Sequence, residues 1–255
     1  MSEMIGGINS VLEALQAEEG GCDRVYVVQG RLGPGLGALV EAARARGIRV
    51  DRLDRAGLDR LFGGTGHQGV VARVNDYRYA SVPEILERAG QGRALILALD
   101  RIQDPMNLGS MLRSAEAAGA AGVIVPRDHA APVSATVRTA SAGAAAHLAV
   151  ARVVNLVQAM LELKEEGFWI VGADQEAATG LFDLDLPERL VLVVGGEGPG
   201  MRRLVKETCD RLASIPLAGR VGSLNAGVAG AVFLFEYVRQ SRQAALKEAG
   251  GGPSS

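Results

Sequence analysis

The sequence holds only two cysteines, Cys22 and Cys209, far apart and in no CxxC spacing, and its three histidines, His67, His129 and His147, are equally scattered. That pattern excludes a disulfide framework and a zinc site, fits a reducing compartment, and leads us to expect no metal. Excess charge is missing too. With 27 basic against 29 acidic residues the net charge is −2, so a nucleic-acid partner would have to be held by local patches. No apolar run reaches membrane-spanning length, and the start MSEMIGGINSVLEAL lacks a basic end followed by an apolar core. The expectation is a cytoplasmic protein with no membrane contact. No internal period is visible, which argues against a solenoid.

What is present suits an ordinary folded protein. The 255 residues are 48% hydrophobic and 22% charged, enough for one large core or two small ones. The first third reads as helix (GINSVLEALQAEE), strand (RVYVV), helix (GALVEAARARG), strand (IRVDRL), short helix and strand (HQGVVARV), a small α/β domain over residues 1–76. Residues 77–93 read as a linker containing a short helix. From Ala94 to residue 245, strands ALILAL, GVIVP, HLAVARV, FWIVGAD, LVLVVGGEG and SIPLAG alternate with helices, one of them near Leu108 to Ala118. This alternation predicts a mostly parallel sheet covered on both faces. The Gly/Ser-rich tail, 246–255, is expected to be disordered.

Ligands on such sheets bind beyond the carboxyl ends of the strands, which gathers LDRIQDPMNLGS, VVGGEGPGM and IPLAGRVGSLN at one edge. In the first loop, Asn107 and Arg113 have a plain reading as a helix cap and a surface charge. They reach the same end of the sheet only if the arginine bends back toward the helix start. The second loop wraps four glycines around one carboxylate, Glu197; it lacks the Lys-Ser/Thr pair of a phosphate-binding P-loop. After the third, periodicity predicts a helix from Leu224 whose stripe Leu224, Val228, Val232 and Phe235 is apolar and should be buried. Ser223 is read as its N-cap. Asn225 falls inside the first turn, where capping accounts for it less well. Two further features compete for attention. Gly33-x-Gly35-x-x-Ala38 imitates a dinucleotide fingerprint but stands too far from its strand. Six arginines between Arg44 and Arg60, facing three acids, form either a phosphate patch or a solvated surface.

Taken together, the three loops resemble the ordered motifs of the SpoU (TrmH-like) ribose 2′-O-methyltransferases of the SPOUT superfamily. The motifs are an Asn with an Arg six residues later (DPMNLGSMLRSAEAAG), a strand into a G-x-E-G-x-G turn (LVLVVGGEGPGM), and an Ile-Pro strand leading to Ser-Leu-Asn at a helix start (IPLAGRVGSLNAGVAGAVFLFE). IGGINSVLEAL and HQGVVARV are similar to the N-terminal domain of the branch that methylates a guanosine in 23S ribosomal RNA. The resemblance implies an α/β fold with a trefoil-knotted methyltransferase domain and a small N-terminal RNA-binding domain. It also implies a homodimer paired through the knot and the closing helix, with S-adenosylmethionine as cofactor. Asn107, Arg113, Glu197, Ser223 and Asn225 would form the catalytic set, with Gly195, Gly196, Ile215, Leu217 and Leu224 around the cofactor. A transfer-RNA substrate, or an RNA-binding assembly factor without catalysis, are the alternatives. Two departures stand out. Ala226-Gly227-Val228 replaces the usual Val-Ser-Val after Ser-Leu-Asn, and Ala146 stands where relatives commonly carry Glu.

Overall fold

The structure, a computed structural model, describes residues 3–16, 22–74, 77–198, 200–220 and 222–250. The tail beyond Gly250, the expected boundary at Asn75 and Asp76, and Pro199 and Val221 of the second and third loops lie outside these residues. By contact the chain divides into two units, Met1–Arg78 with Pro132–His147, and Tyr79–Ala131 with Leu148–Ser255.

The first unit contains β1 (Glu3–Gly6), α1 (Ile8–Gln16), β2 (Cys22–Val28), α2 (Pro34–Ala45), β3 (Arg49–Leu53), α3 (Arg55–Phe62) and β4 (Val70–Val74). Its sheet runs β1-β4-β2-β3, and only β2 and β3 are parallel. Val11, Ala14 and Leu15 of α1 and Leu39, Val40 and Ala43 of α2 bury against Val25, Val27, Val70, Ala72 and Val74, alternate residues of their strands. The glycines from Gly33 onward open α2 and nothing more is built on them. Buried His67 accepts from the Gly69 amide at Nδ1 (3.0 Å), so Nε2 carries the proton toward Asp59 (2.9 Å).

The second unit starts with α4 (Val82–Ala89), β5 (Ala94–Asp100), α5 (Pro105–Ala117) and β6 (Gly122–Pro126). Between β6 and β7 lies α6 (Ala135–Ala140), which returns to the first unit and packs on β1. The second unit resumes with β7 (Ala149–Val153), α7 (Leu156–Glu165), β8 (Trp169–Ala173), β9 (Arg189–Gly195), α8 (Arg203–Thr208), β10 (Arg211–Ala213) and α9 (Ala226–Gly250). Six strands in the order β10-β8-β9-β5-β6-β7 are all parallel. Both faces are covered, which is why β5 from Ala94 to Leu99 and β9 from Leu190 to Val194 run continuously apolar instead of alternating. The helix in the expected linker is α4. A capping box between Ser81 and Glu84 starts it, and Ile85 inserts fully into the core of this unit.

Three expectations need correction. No strand forms at SIPLAG, where Ser214 makes a single bridge to Gly180 and Pro216 has no amide to extend a ladder; the strand at this edge is β10, just before it at Arg211–Ala213. Helix α9 starts at Ala226, two residues late, and continues through 246–250, which were assigned to a disordered tail. The stripe expected to be buried is largely outside: Val228 is 51% exposed, Phe235 47% and Leu224 37%. The buried face instead carries Ala226, Gly230, Phe233, Leu234 and Tyr237. Its small residues bring α9 close to α5 and β9, where Gly230 lies against Val194 and Met111.

The end of β5 fixes the loop that follows β9. Asp100 is fully buried; its Oδ2 accepts from the Arg202 amide (2.7 Å), its Oδ1 from Arg202 Nε (2.8 Å), and its main-chain oxygen from the Gly196 amide (2.8 Å). Both ends of the segment from Gly196 to Arg202 are thereby pinned to one residue. Asp100→Ala leaves a half-exposed guanidinium and an amide without their acceptor, and is expected to cost about 2–3 kcal/mol, with Asp100→Asn recovering part of it. Equilibrium urea unfolding measures this, and an unchanged midpoint for Asp100→Ala would contradict the pinning.

Candidate active site

Helix α5 is capped by Asp104, whose carboxylate accepts from the amides of Met106 (3.2 Å) and Asn107 (3.2 Å). With the cap supplied, the Asn107 side chain is free for other use. Its Nδ2 donates to Glu197 Oε1 (2.8 Å) and its Oδ1 accepts from Asn225 Nδ2 (3.0 Å). Asn225 Nδ2 also donates to Glu197 Oε1 (2.8 Å), while Asn225 Oδ1 accepts from the amides of Gly227 (2.9 Å) and Val228 (3.2 Å). Asn225, and not Ser223, is therefore the N-cap of α9. This use of its oxygen settles the orientation of both amides. With Oδ1 committed to the helix, Nδ2 must face Glu197 and Asn107, which turns the Asn107 carbonyl toward Asn225 and its NH2 toward the carboxylate.

Glu197 stands in the glycine loop, and the loop is glycine for lack of room. A Cβ on Gly195 would lie 2.2 Å from the Met201 nitrogen, and one on Gly196 2.4 Å from the Arg101 carbonyl oxygen. This backbone, bare of side chains, forms one wall of a cleft of about 440 Å³ at the carboxyl ends of β8, β9 and β10. Gly195, Gly196, Glu197, Ile215, Ser223, Leu224 and Asn225 all line it. Leu217 is half-buried in the same loop and does not line it. Asn107 meets the cleft only through Glu197 and Asn225. Arg113 is exposed on α5, outside the lining, with no hydrogen bond or ion pair among the described residues. Ala146 lies in an exposed turn of the first unit and is not among the residues that line the cleft. At the other departure, a Cβ on Gly227 would sit 3.2 Å from Asn225 Oδ1 and 3.4 Å from Ser110 Oγ.

Asp174, Gln175, Ala229 and Phe233 also line the cleft and were not foreseen. The first two follow β8, a strand whose neighbours the sequence does not reveal. Gln175 Nε2 donates to the Ile215 carbonyl (3.3 Å), steadying the third loop. Burial alone would raise the Asp174 pKa, but the hydrogen bond from Lys206, the Glu176 amide and the Lys206 charge outweigh it and hold the carboxyl below its ordinary value. Among the described residues Asp174 and Glu197 are the only charged ones in the lining, so the cleft they form presents carboxylate and no cation. Lys206 balances Asp174, whereas the partners of Glu197 are neutral amides. Among the described residues no group of three or more His, Cys, Asp or Glu could hold a metal ion, and no helix is long and apolar enough to cross a membrane.

Residues 94–235 match the SpoU rRNA Methylase family, and residues 4–80 match the RNA 2′-O ribose methyltransferase substrate-binding family. The chain is 44% identical over 241 residues to a 23S rRNA (guanosine-2′-O-)-methyltransferase RlmB of Xanthomonas campestris, covering 94% of this chain and 97% of that one. It is 42% identical over 243 residues to the RlmB of Escherichia coli K12, covering 94% and 99%. Among solved structures, the SpoU methyltransferase AviRb of Streptomyces viridochromogenes, in complex with AdoMet, superposes with a TM-score of 0.77 at 27% identity, covering 95% of this chain and 91% of that one. An AdoMet-bound rRNA methyltransferase of Sinorhizobium meliloti gives 0.76 at 26% identity, covering 93% and 87%. With these matches over both units and the three loops assembled at one edge of a parallel sheet, the chain belongs to the SpoU rRNA methylase family.

Proposed function

We propose that this chain transfers a methyl group from S-adenosylmethionine to the ribose 2′-hydroxyl of a guanosine in 23S ribosomal RNA. The observation that carries the reading is the Asn107–Glu197–Asn225 network, which locks the three family motifs into one rigid wall beside the cleft. The relatives named as guanosine 2′-O-methyltransferases match this chain over nearly its whole length, supporting the substrate.

The cleft suits the cofactor. A lining with two carboxylates and no cation complements a sulfonium, and its volume is in the range of roughly 300–1,000 Å³ usual for small ligands. When bound, S-adenosylmethionine supplies an already activated methyl group, so the residues of the chain have to position the hydroxyl and manage its proton. Gly195, Gly196, Ile215 and Leu224 hold the adenosine end against backbone and apolar surface. Glu197, fixed by two amides, sets the charge of the wall, and Ser223 and Asn225 border the ribose. Arg113 has no hydrogen bond or ion pair among the described residues and serves the RNA: its guanidinium engages the phosphate and stabilises negative charge developing on the 2′-oxygen. An ordinary guanidinium stays protonated in the physiological range, so this role is favoured over that of a base.

The RNA is gripped in part by the first unit, where Arg44 and Arg49 are spent on Glu41 and Asp51 but Arg46, Arg55 and Arg60 have no ion pair among the described residues. Acting on ribosomal RNA places the protein in the cytoplasm. The exposed Leu224, Val228 and Phe235, with Met106 of α5 at 59% exposure, form the face through which two copies pair. The path of the chain, with β10 at the far edge and α9 brought back against α5, supports the trefoil knot expected of the family.

Tritiated methyl incorporation into an unmodified 23S rRNA transcript, with chelator present, tests the reaction; transfer to tRNA and not to 23S rRNA would overturn the substrate. In that assay Arg113→Ala is expected to lower kcat at least about a hundredfold while cofactor affinity stays within a few fold. Asn225 allows its two roles to be separated. Asn225→Ser keeps a cap and should be about 1 kcal/mol more stable than Asn225→Ala, yet both should lose turnover, because neither bridges Asn107 and Glu197. Equal loss of stability with retained turnover would contradict this division. For the dimer, Phe235→Glu should shift sedimentation to the monomer across a dilution series, and an unshifted dimer would place the interface elsewhere.

A further inference from the structure

Arg101 occupies a backbone conformation that arginine adopts at a cost. Its φ is +65°, in the left-handed region favoured by glycine, at the point where β5 gives way to the first motif loop. Its carbonyl oxygen packs against Gly196, and the preceding residue, Asp100, accepts from the Gly196 amide. The backbone at Arg101 is therefore locked to the glycine loop that carries Glu197. A glycine would satisfy this position without strain, so the arginine has to be accounted for by its side chain. That side chain is half-buried and has no hydrogen bond or ion pair among the described residues. The two acids nearest along the chain are both spent, Asp100 on the Arg202 amide and guanidinium and Asp104 with its two oxygens on the cap of α5.

The charge around the cleft shows what an unspent guanidinium here is suited to bind. Among the described residues the lining contains only Asp174 and Glu197 as charged groups, and Arg202 in the adjoining segment is consumed by Asp100. A polyanionic chain approaching this edge meets carboxylate unless cations stand on the rim. Arg101 does not line the cleft, so it is not placed to pair with a ligand inside it. We propose that Arg101 is a positioning residue for the RNA substrate, pairing with a backbone phosphate beside the target ribose from a main chain clamped to the Glu197 loop. The proposal rests on the methyltransferase reading above.

The test compares wild type with Arg101→Gly and Arg101→Lys, using tritiated methyl transfer to 23S rRNA transcript at several salt concentrations, calorimetric S-adenosylmethionine binding, and thermal unfolding. Arg101→Gly is expected to keep or raise Tm and to leave kcat and cofactor affinity unchanged. It should raise the KM for RNA about three- to tenfold and reduce the slope of log(kcat/KM) against log[salt] by about one, the signature of one lost phosphate contact. Arg101→Lys should retain the slope. An unchanged KM and slope in Arg101→Gly would overturn the proposal, as would a loss of cofactor affinity that parallels the rise in KM. Absence of methyl transfer by the wild type would count against the functional reading itself, a different result from either.

Discussion

One carboxylate oxygen organises this protein. Glu197 Oε1 accepts from the side-chain amides of Asn107 and Asn225, and Asn225 spends its own carbonyl on the first amides of α9. Three segments separated by dozens of residues in sequence are thus joined by four polar groups, each satisfied by the others. Because every donor and acceptor in the set has one consistent role, the arrangement is specific: turning either amide over would set NH2 against NH2 or oxygen against carboxylate. The glycine loop can bring Glu197 to this point because Asp100 holds both its ends and no side chain obstructs its passage.

The electrostatic consequence differs between the two acids of the cleft. Asp174 is met by Lys206 and contributes little net field, whereas the donors to Glu197 are neutral amides that bring no countercharge. Hydrogen bonds from neutral amides stabilise an anion without neutralising it, so the wall remains attractive to a cationic ligand. Substrate RNA has the opposite sign. The same edge of the sheet must therefore accept a cation inside and a polyanion outside, and the unpaired arginines lie outside the cleft lining.

Much of this was legible in the sequence where local pattern decides. Five of the six parallel strands appear as mainly apolar runs, because burial on both faces of a covered sheet favours apolar residues at successive positions. The three site loops follow from the rule that ligands gather at the carboxyl ends of such strands. What stayed hidden depends on partners distant in sequence. Asn225 looked less like a cap than Ser223 because the apolar period starts the helix at Leu224, two residues before its first turn at Ala226, and the contacts that hold Asn225 at the start come from Asn107 and Glu197. The four residues of β1 were too few to register as a strand, and β10 reads RLA, with no apolar run. The outer stripe of α9 had the right periodicity for a buried face; only the sheet and α5 reveal that the small-residue face packs inward. Asp174 and Gln175 could be assigned to the cleft only once β8 was known to sit between β10 and β9.

Residues Pro132–His147 lie in the sequence between β6 and β7 yet belong to the unit formed by the first 78 residues. There α6 covers β1, Val133, Val137, Ala144 and Ala145 are buried, and His147 Nε2 meets Glu13 Oε2 at 2.9 Å. During synthesis on the ribosome, then, the N-terminal unit emerges incomplete. Its four strands are already made, but β1 stays without α6 while α4, β5, α5 and β6 of the other unit are made, and only then does the segment that covers it leave the exit tunnel. The order of assembly is interleaved, although the family boundaries along the sequence look sequential, and a single cut between Arg78 and Tyr79 would separate neither unit intact.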